Sequence, residues 1–519
     1  MMNQSNNKIL IAHAFFLNND SKQYSDKFKP YPPLAALYAA SLLRESGYDV
    51  DLFDAVLSEG IQELFAILES EPPSMLVVYE DDFNFLTKMC LSHVRDTTLR
   101  MIDSAKALNI PVIIHSSDAS DNPEIYLLRG ARLVIYGEGE QTLVEATEYF
   151  SKEKVREPEY IEGIYYLSND KVKKTSERKP LRALDKLPQP AWDLVEFDQY
   201  REAWKKKHGF FSINMVTTRG CPYKCNWCAK PIWGQQYSSH SPEYVAEQLE
   251  WLVKNAAPEH IWFADDIFGL KKGWIERFSK KVDELKIQIP FMIQSRADLI
   301  NEDVAASLKV AGCSEVWLGV ESGSQKILDD MDKGITLSQV KNARRLLADC
   351  SIDVGFFIQL GYLGEDLLDI DSTREMLLEL KPEKIGVSVS YPLPGTPFYQ
   401  KVRDQMSEKS HWLESNDLDT VFQSTFSAEF YRRIREHLHQ ELQSEEEERK
   451  YWNTQWRQLM ETAESYRNKV PESTLAPGCL ASNFGSAKTS VSLDAKRVAK
   501  SLKVRSSKLG GKRIKLQVL

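Results

Sequence analysis

Along residues 8–150 short apolar runs alternate with longer stretches of helical periodicity. Lys8-Ile9-Leu10-Ile11-Ala12 predicts a strand, and the run from Pro33 to Leu43 has the spacing of a helix opened by a proline and stopped by Gly47-Tyr48. Further strands are predicted at 49–53, 75–79, 112–115 and 133–136, each separated from the next by a helix-length segment. That alternation is the pattern of an α/β, doubly wound (Rossmann-like) sheet, which takes its ligands at the carboxyl ends of its strands.

Residues 151–205 read as a connector. Ile164–Leu167 and Val172–Thr175 flank Ser168-Asn169-Asp170-Lys171 as a small hairpin, and Leu187-Pro188-Gln189-Pro190 is an extended break. A second alternating series runs from 206 to 400, and nearly every strand in it leads into a polar motif. Strands at 211–216, 260–264, 291–294, 315–320, 354–360 and 384–390 end on the cysteine loop, Asp265-Asp266, Ser295-Arg296, Glu321-Ser322, Gly361-Tyr362 and Pro392–Pro397. Chemistry gathered at the ends of successive strands is the logic of a parallel β/α barrel. Six strands predict a partial, TIM-like one. Residues 401–470 read as a helical, charged extension, and 471–519 as a basic tail without a core-forming pattern. The division expected is therefore 1–150, 151–205, 206–400, 401–470 and 471–519.

Composition narrows this picture without redirecting it. With 519 residues, 42% hydrophobic and 27% charged, the chain has material for two or three domains with real cores. No run approaches the roughly 18 apolar residues of a membrane span, and the polar start MMNQSNNK does not read as a signal peptide. A net charge of −9 argues against general nucleic-acid binding, leaving only the basic tail as a candidate contact. Seven scattered cysteines are not a disulfide framework, so a reducing cytoplasm is the expected home.

Three of those seven stand together in Cys221-Pro222-Tyr223-Lys224-Cys225-Asn226-Trp227-Cys228. Thiolates at this spacing suit a soft metal centre, and a trio where closed sites use four ligands points to a 4Fe-4S cluster with one open iron. The competing reading is a zinc site completed by His208 or His240. Cys313, in Ala311-Gly312-Cys313, reads as a packed residue.

On these residues, together with Gly319-Val320-Glu321-Ser322-Gly323-Ser324, Met331-Asp332-Lys333-Gly334 and Pro394-Gly395-Thr396-Pro397, the chain resembles the radical S-adenosylmethionine (SAM) enzymes. More narrowly it resembles those with an N-terminal cobalamin-binding type domain: radical methyltransferases and the anaerobic magnesium-protoporphyrin cyclase group. The resemblance spans roughly residues 8–440. It implies that SAM chelates the open iron and is cleaved reductively to a 5′-deoxyadenosyl radical, which attacks an unactivated carbon of a small-molecule substrate. An electron donor such as flavodoxin or ferredoxin is implied as partner.

The resemblance also implies roles for individual residues. Trp227 would pack near adenine, Asp265 and Asp266 would meet the SAM amino group, Ser295 and Arg296 its carboxylate or ribose, and Glu321 and Ser322 the ribose hydroxyls. Read singly, Asp265 and Asp266 serve equally well as helix caps and Arg296 as a local partner of Asp298. In the first domain, Gly137-Glu138 matches the cobalamin-associated group. His115-Ser116 stands where that group places paired glycines, as a corrin contact or as a structural imidazole and its neighbour. Cobalamin-assisted methyl transfer is the leading expectation, with a radical oxidoreductase, cyclase or rearrangement as the alternative. An interaction protein using the thiols structurally is a further one. Trp412, Tyr431 and His437 are candidate pocket or packing residues.

Overall fold

The computed structural model describes residues 7–88, 91–151, 158–228, 232–409 and 411–468; the basic tail, Cys90 and Cys479 lie outside these. The first sheet contains β1 (Lys8–Ala12), β2 (Asp49–Phe53), β3 (Met75–Tyr79), β4 (Val112–His115) and β5 (Leu133–Ile135), all parallel, in the order β2-β1-β3-β4-β5. Central β3 is buried along its whole length, which is why it reads as an unbroken apolar run. The hairpin β6 (Ile164–Ser168) and β7 (Lys171–Lys174) turns on Asn169 and Asp170, both at positive φ. It pairs antiparallel with β5, so this part of the expected connector is the edge of the first sheet.

The second sheet begins at β8 (Ser212–Met215). A short antiparallel ladder, β9 (Thr218–Arg219) with β10 (Ser238–Ser239), brackets the cysteine loop. Then follow β11 (His260–Phe263), β12 (Phe291–Ser295), β13 (Cys313–Glu321), β14 (Asp353–Leu360) and β15 (Lys384–Val389). With β8 they form a six-stranded parallel sheet in chain order, the partial barrel expected. Alternation sorts its side chains. Ile213, Phe263, Ile293, Leu318 and Phe356 are sealed beneath the helices, whereas Trp262, Met292, Gln294, Trp317 and Phe357, on the other face, stay partly exposed along the barrel wall.

The two sheets are joined by chain that enters the barrel. Tyr31 lies against Trp262, with ring centroids 4.7 Å apart, and its hydroxyl is 3.2 Å from Ser212 Oγ; Asn214 Nδ2 donates to Pro32 O at 3.0 Å. Beyond the barrel, regular helix is confined mainly to Ala428–Gln443 and Arg449–Thr462. Both pack on the helix Leu367–Leu380, through a buried Arg374–Glu441 ion pair and a bond from Trp456 Nε1 to Asp371. Tyr431 and His437 are buried in that packing, and Trp412 donates to Asp419 O, so these three serve as core residues of the extension. Cys313 is likewise buried.

Candidate functional site

The cysteine loop leaves β8 under restraint at both ends. Asp265, at the end of β11, accepts four hydrogen bonds of 2.7–2.9 Å, from the backbone N–H and hydroxyl groups of Thr217 and Thr218. Burial pushes its carboxyl up to about 6 while those bonds pull it down. Asp265 thus clamps the chain just ahead of the thiols, its two oxygens bonded to Thr217 and Thr218. Asp266 is exposed.

Arg219 is the second restraint. Its buried guanidinium pairs with both Glu138 and Glu140, and Glu138 also accepts from Leu181 N–H. The Gly-Glu-Gly-Glu segment of the first domain therefore bolts down the residue two places before Cys221. At Gly220 (φ +74°) any Cβ would stand 2.3 Å from Gln236 O, so this turn needs glycine.

Asn226 anchors the middle of the loop. Its Nδ2 donates to Asp330 O and Asp332 Oδ2, its Oδ1 accepts from Tyr362 O–H at 2.7 Å, and its backbone bonds to Met331 and Phe398. Cys221 and Cys225 are buried and Cys228 half-buried, none of the three in a disulfide. Trp227 packs on the cluster of Met331, Tyr362 and Phe398, and among the described residues its buried Nε1 has no acceptor.

Arg296 reaches this loop from the end of β12. Its Nη1 lies 3.9 Å from Cys225 Sγ, its guanidinium stacks 3.7 Å from the centroid of Tyr223, and Nη2 donates to Lys333 O. The local ion pair with Asp298 also forms, at 2.9 Å, and fixes the plane of the fork. Opposite stands Lys333, whose Nζ is 2.7 Å from Glu321 Oε1 in a fully buried pair. Burial alone would lower the lysine's pKa, but the charges of Glu321 and Cys225 carry it above its ordinary value. Glu321 is aimed there by a register shift in β13 and a φ of +67°, and Gly319 leaves the necessary room: a Cβ would stand 2.7 Å from Lys333 Nζ.

The structure thus brings the cysteine loop, Trp227, Arg296 and Glu321 together, and adds Lys333, Asn226 and Arg219. Ser295 and Ser322 do not join them. Ser295 falls on the helix-facing side of β12, and Ser322 is buried 3.3 Å from Thr373 Oγ1. Lys333 stood in the Met-Asp-Lys-Gly motif but had no role until the fold carried it to Glu321. A donor set of three thiols flanked by two buried cations fits an anionic iron–sulfur cluster. Zinc does not have its fourth ligand: His208 bonds to Phe28 O, and His240 pairs with Asp185 and stacks on Tyr244. Among the described residues no three of His, Cys, Asp and Glu gather around one ion.

In the first domain the candidate contacts are committed inward. His115 Nε2 bonds to Gly137 O at 2.9 Å, its ring stacks on Tyr79, its Nδ1 faces Asp82 at 3.3 Å, and burial lowers its pKa. Ser116 caps the helix Ser117–Asp121. A Cβ at Gly139 would stand 2.6 Å from Tyr79 Oη and 2.7 Å from His115, so the protein fills that space itself. His115, Ser116, Gly137 and Glu138 therefore present no open cradle. A small cleft, with a cavity volume of about 30 Å³, lies at the switch point between β1 and β3, where Phe15, Leu17, Val56, Phe83, Asn84 and Asn214 line it. Its walls are mixed, with Lys29 and Asp81 beside the apolar side chains, and among the described residues the buried Oδ1 of Asn214 and Oε2 of Glu80 have no hydrogen-bond partner.

Residues 215–377 match the Radical SAM superfamily. Over 398 residues the chain is 27% identical to an uncharacterized methyltransferase of Pyrococcus horikoshii, covering 75% of this chain and 83% of that one. It is 24% identical over 394 residues to the anaerobic magnesium-protoporphyrin IX monomethyl ester cyclase of Cereibacter sphaeroides, covering 72% of this chain and 61% of the relative. Among solved structures, the radical SAM methyltransferase TsrM of Kitasatospora setae, with cobalamin and a [4Fe-4S] cluster bound, superposes with a TM-score of 0.63 at 16% identity, covering 77% and 75% of the two chains. The cobalamin-dependent SAM radical enzyme OxsB, with aqua-cobalamin bound, gives 0.60 at 21%, covering 71% and 52%. No described helix is long and apolar enough to cross a membrane.

Proposed function

We propose that this chain, an enzyme carrying a radical SAM domain at residues 215–377, transfers a methyl group to an unactivated carbon of a small molecule. The observation that carries the reading is the cysteine loop held at three points, with Arg296 and the Lys333–Glu321 pair beside Cys225. When bound at Cys221, Cys225 and Cys228, a 4Fe-4S cluster supplies the electron that splits SAM into methionine and a 5′-deoxyadenosyl radical.

The chain's own residues do the positioning. Asp265, Arg219 and Asn226 hold the loop that carries the three thiols. Arg296 and Lys333 set positive charge beside the thiolates, and Arg296's fork is the group suited to a carboxylate in that position. Trp227 offers a ring and an uncommitted donor. A cobalamin, as bound in TsrM and OxsB, would supply a methyl carrier at the strand ends of the first domain, where the cleft between β1 and β3 as it stands is too small to hold it. Flavodoxin or ferredoxin is the proposed electron donor, and a reducing cytoplasm suits cysteines that form no disulfide among the described residues. A purely structural thiol site leaves Arg296, Glu321 and Lys333 without a task.

Anaerobic incubation with methyl-labelled SAM and reductant tests the reading. We expect about four irons per chain, 5′-deoxyadenosine, and label in the product; Cys225→Ala should lose all three. Unlabelled product accompanied by 5′-deoxyadenosine would move the protein to the oxidoreductase or cyclase alternative.

A further inference from the structure

Below the ion pair beside Cys225 the barrel wall carries a second construction. Trp317 on β13 pairs in register with Gly355 on β14, and Gly319 with Phe357; Phe357 in turn pairs with Gly386 on β15. The rings of Trp317 and Phe357 stack with centroids 4.7 Å apart and an interplanar angle of 30°.

Two glycines make that stack possible. A Cβ at Gly355 would stand 2.4 Å from the Trp317 ring, and one at Gly386 would stand 3.2 Å from Trp317 and 3.3 Å from Phe357. The indole therefore lies down over bare backbone. Its only donor is already used, since Nε1 bonds to Glu315 Oε1 and the other oxygen of Glu315 is held by Lys384. A ring fixed at its polar edge, backed by glycine and still partly exposed presents a π-face and nothing else.

One polar atom accompanies it. Gln359, two residues along β14 from Phe357 and so on the same face, is buried, and among the described residues its Oε1 has no donor. A buried carbonyl oxygen left unpaired calls for a partner from outside the chain. Phe357 is also the register partner of Gly319, the glycine against Lys333 Nζ, so the stack begins one strand step from the residues around Cys225.

We propose that the Trp317–Phe357 pair is the platform for the substrate, and that the substrate is a flat, conjugated ring system carrying a hydrogen-bond donor that Gln359 Oε1 accepts. This rests on the reading of the chain as a radical SAM enzyme. Aromatic stacking adds binding beyond what burial gives, and a saturated ring of equal size lacks it.

Anthracene-2-carboxamide and its fully saturated counterpart are suitable probes, titrated calorimetrically into holoenzyme with its cluster and SAM. Wild type should bind the flat probe at least tenfold more tightly than the saturated one. Trp317→Leu should erase that preference, whereas Trp317→Phe should keep most of it. Gly355→Ala, which lifts the indole from its slot, should lower affinity for the flat probe in a protein that retains its iron, and Gln359→Leu should weaken both probes. Equal binding of the two probes by wild type, or an unchanged preference in both Trp317→Leu and Gly355→Ala, would overturn the platform. Failure of the underlying reading would show separately, as wild type that forms no 5′-deoxyadenosine whatever the probes do.

Discussion

Both sheets end their strands in polar residues, but the first spends them on itself and the second keeps some for a guest. At the ends of β1 to β5, His13 pairs with Asp54, Tyr200 O–H donates to Asp54, Glu80 accepts from Ala14 N–H, and Asp82 faces His115. At the ends of β8 to β13, Arg296 and Lys333 are each held by a carboxylate and turned toward Cys225. The first arrangement positions backbone; the second positions charge beside thiols. What separates them is whether neighbouring donors and acceptors have already satisfied the side chain, which position at a strand end does not decide.

The largest test of this contrast is Arg219, where the first sheet acts on the second. Arg219→Ala leaves Glu138 and Glu140 buried without their cation, and breaking such a pair costs about 3–5 kcal/mol. Urea unfolding should show that loss, and the surviving folded fraction should bind less iron because the loop before Cys221 is no longer held. Unaltered stability would mean that the two domains are not coupled through this bolt.

Glu80 gives the next effect, and its sign follows from burial. Desolvation, against the opposing pull of His13 and the Ala14 N–H, raises its carboxyl from 4.5 to about 7. The folded state therefore holds the proton more tightly than the unfolded chain. The stabilisation is complete below pH 4.5 and is lost as pH rises to about 7, on the order of 3 kcal/mol at most. Relative to wild type, Glu80→Gln should show no such decline between pH 5 and 8 in chemical denaturation. A parallel decline in both proteins would place the carboxylate in contact with water.

The sequence made the strands legible because their physics is local. Apolar runs closed by turn residues mark β3 and β14 as readily as the fold does, and the cysteine spacing announces its own chemistry. Side-chain direction was not local. Ser295 and Arg296 are adjacent, yet alternation sends one under the helices and the other to Cys225. Asp265 looked available until the fold put Thr217 and Thr218 around it. Lys333 became a site residue only through a bulge in β13 and the absence of a side chain at Gly319. Partners 12 to 81 positions apart, as in Lys333–Glu321 and Arg219–Glu138, have no signature in periodicity.

The smallest effect addresses whether the end of β4 is closed. Gly139→Ala would set a methyl 2.7 Å from the His115 ring and 2.6 Å from Tyr79 Oη, and overpacking of this kind costs about 1–3 kcal/mol. His115→Ala separately loses the bond to Gly137 O and the stack on Tyr79. If the imidazole occupies the space beside Gly139, the two costs cannot add, because removing the ring makes room for most of the added methyl. The double variant should then be little less stable than His115→Ala alone, a coupling readable in a double-mutant cycle. Simple additivity would mean that the methyl never met the ring. The space beside β4 would then be open, and His115 would return as a candidate contact for a cofactor in the first domain.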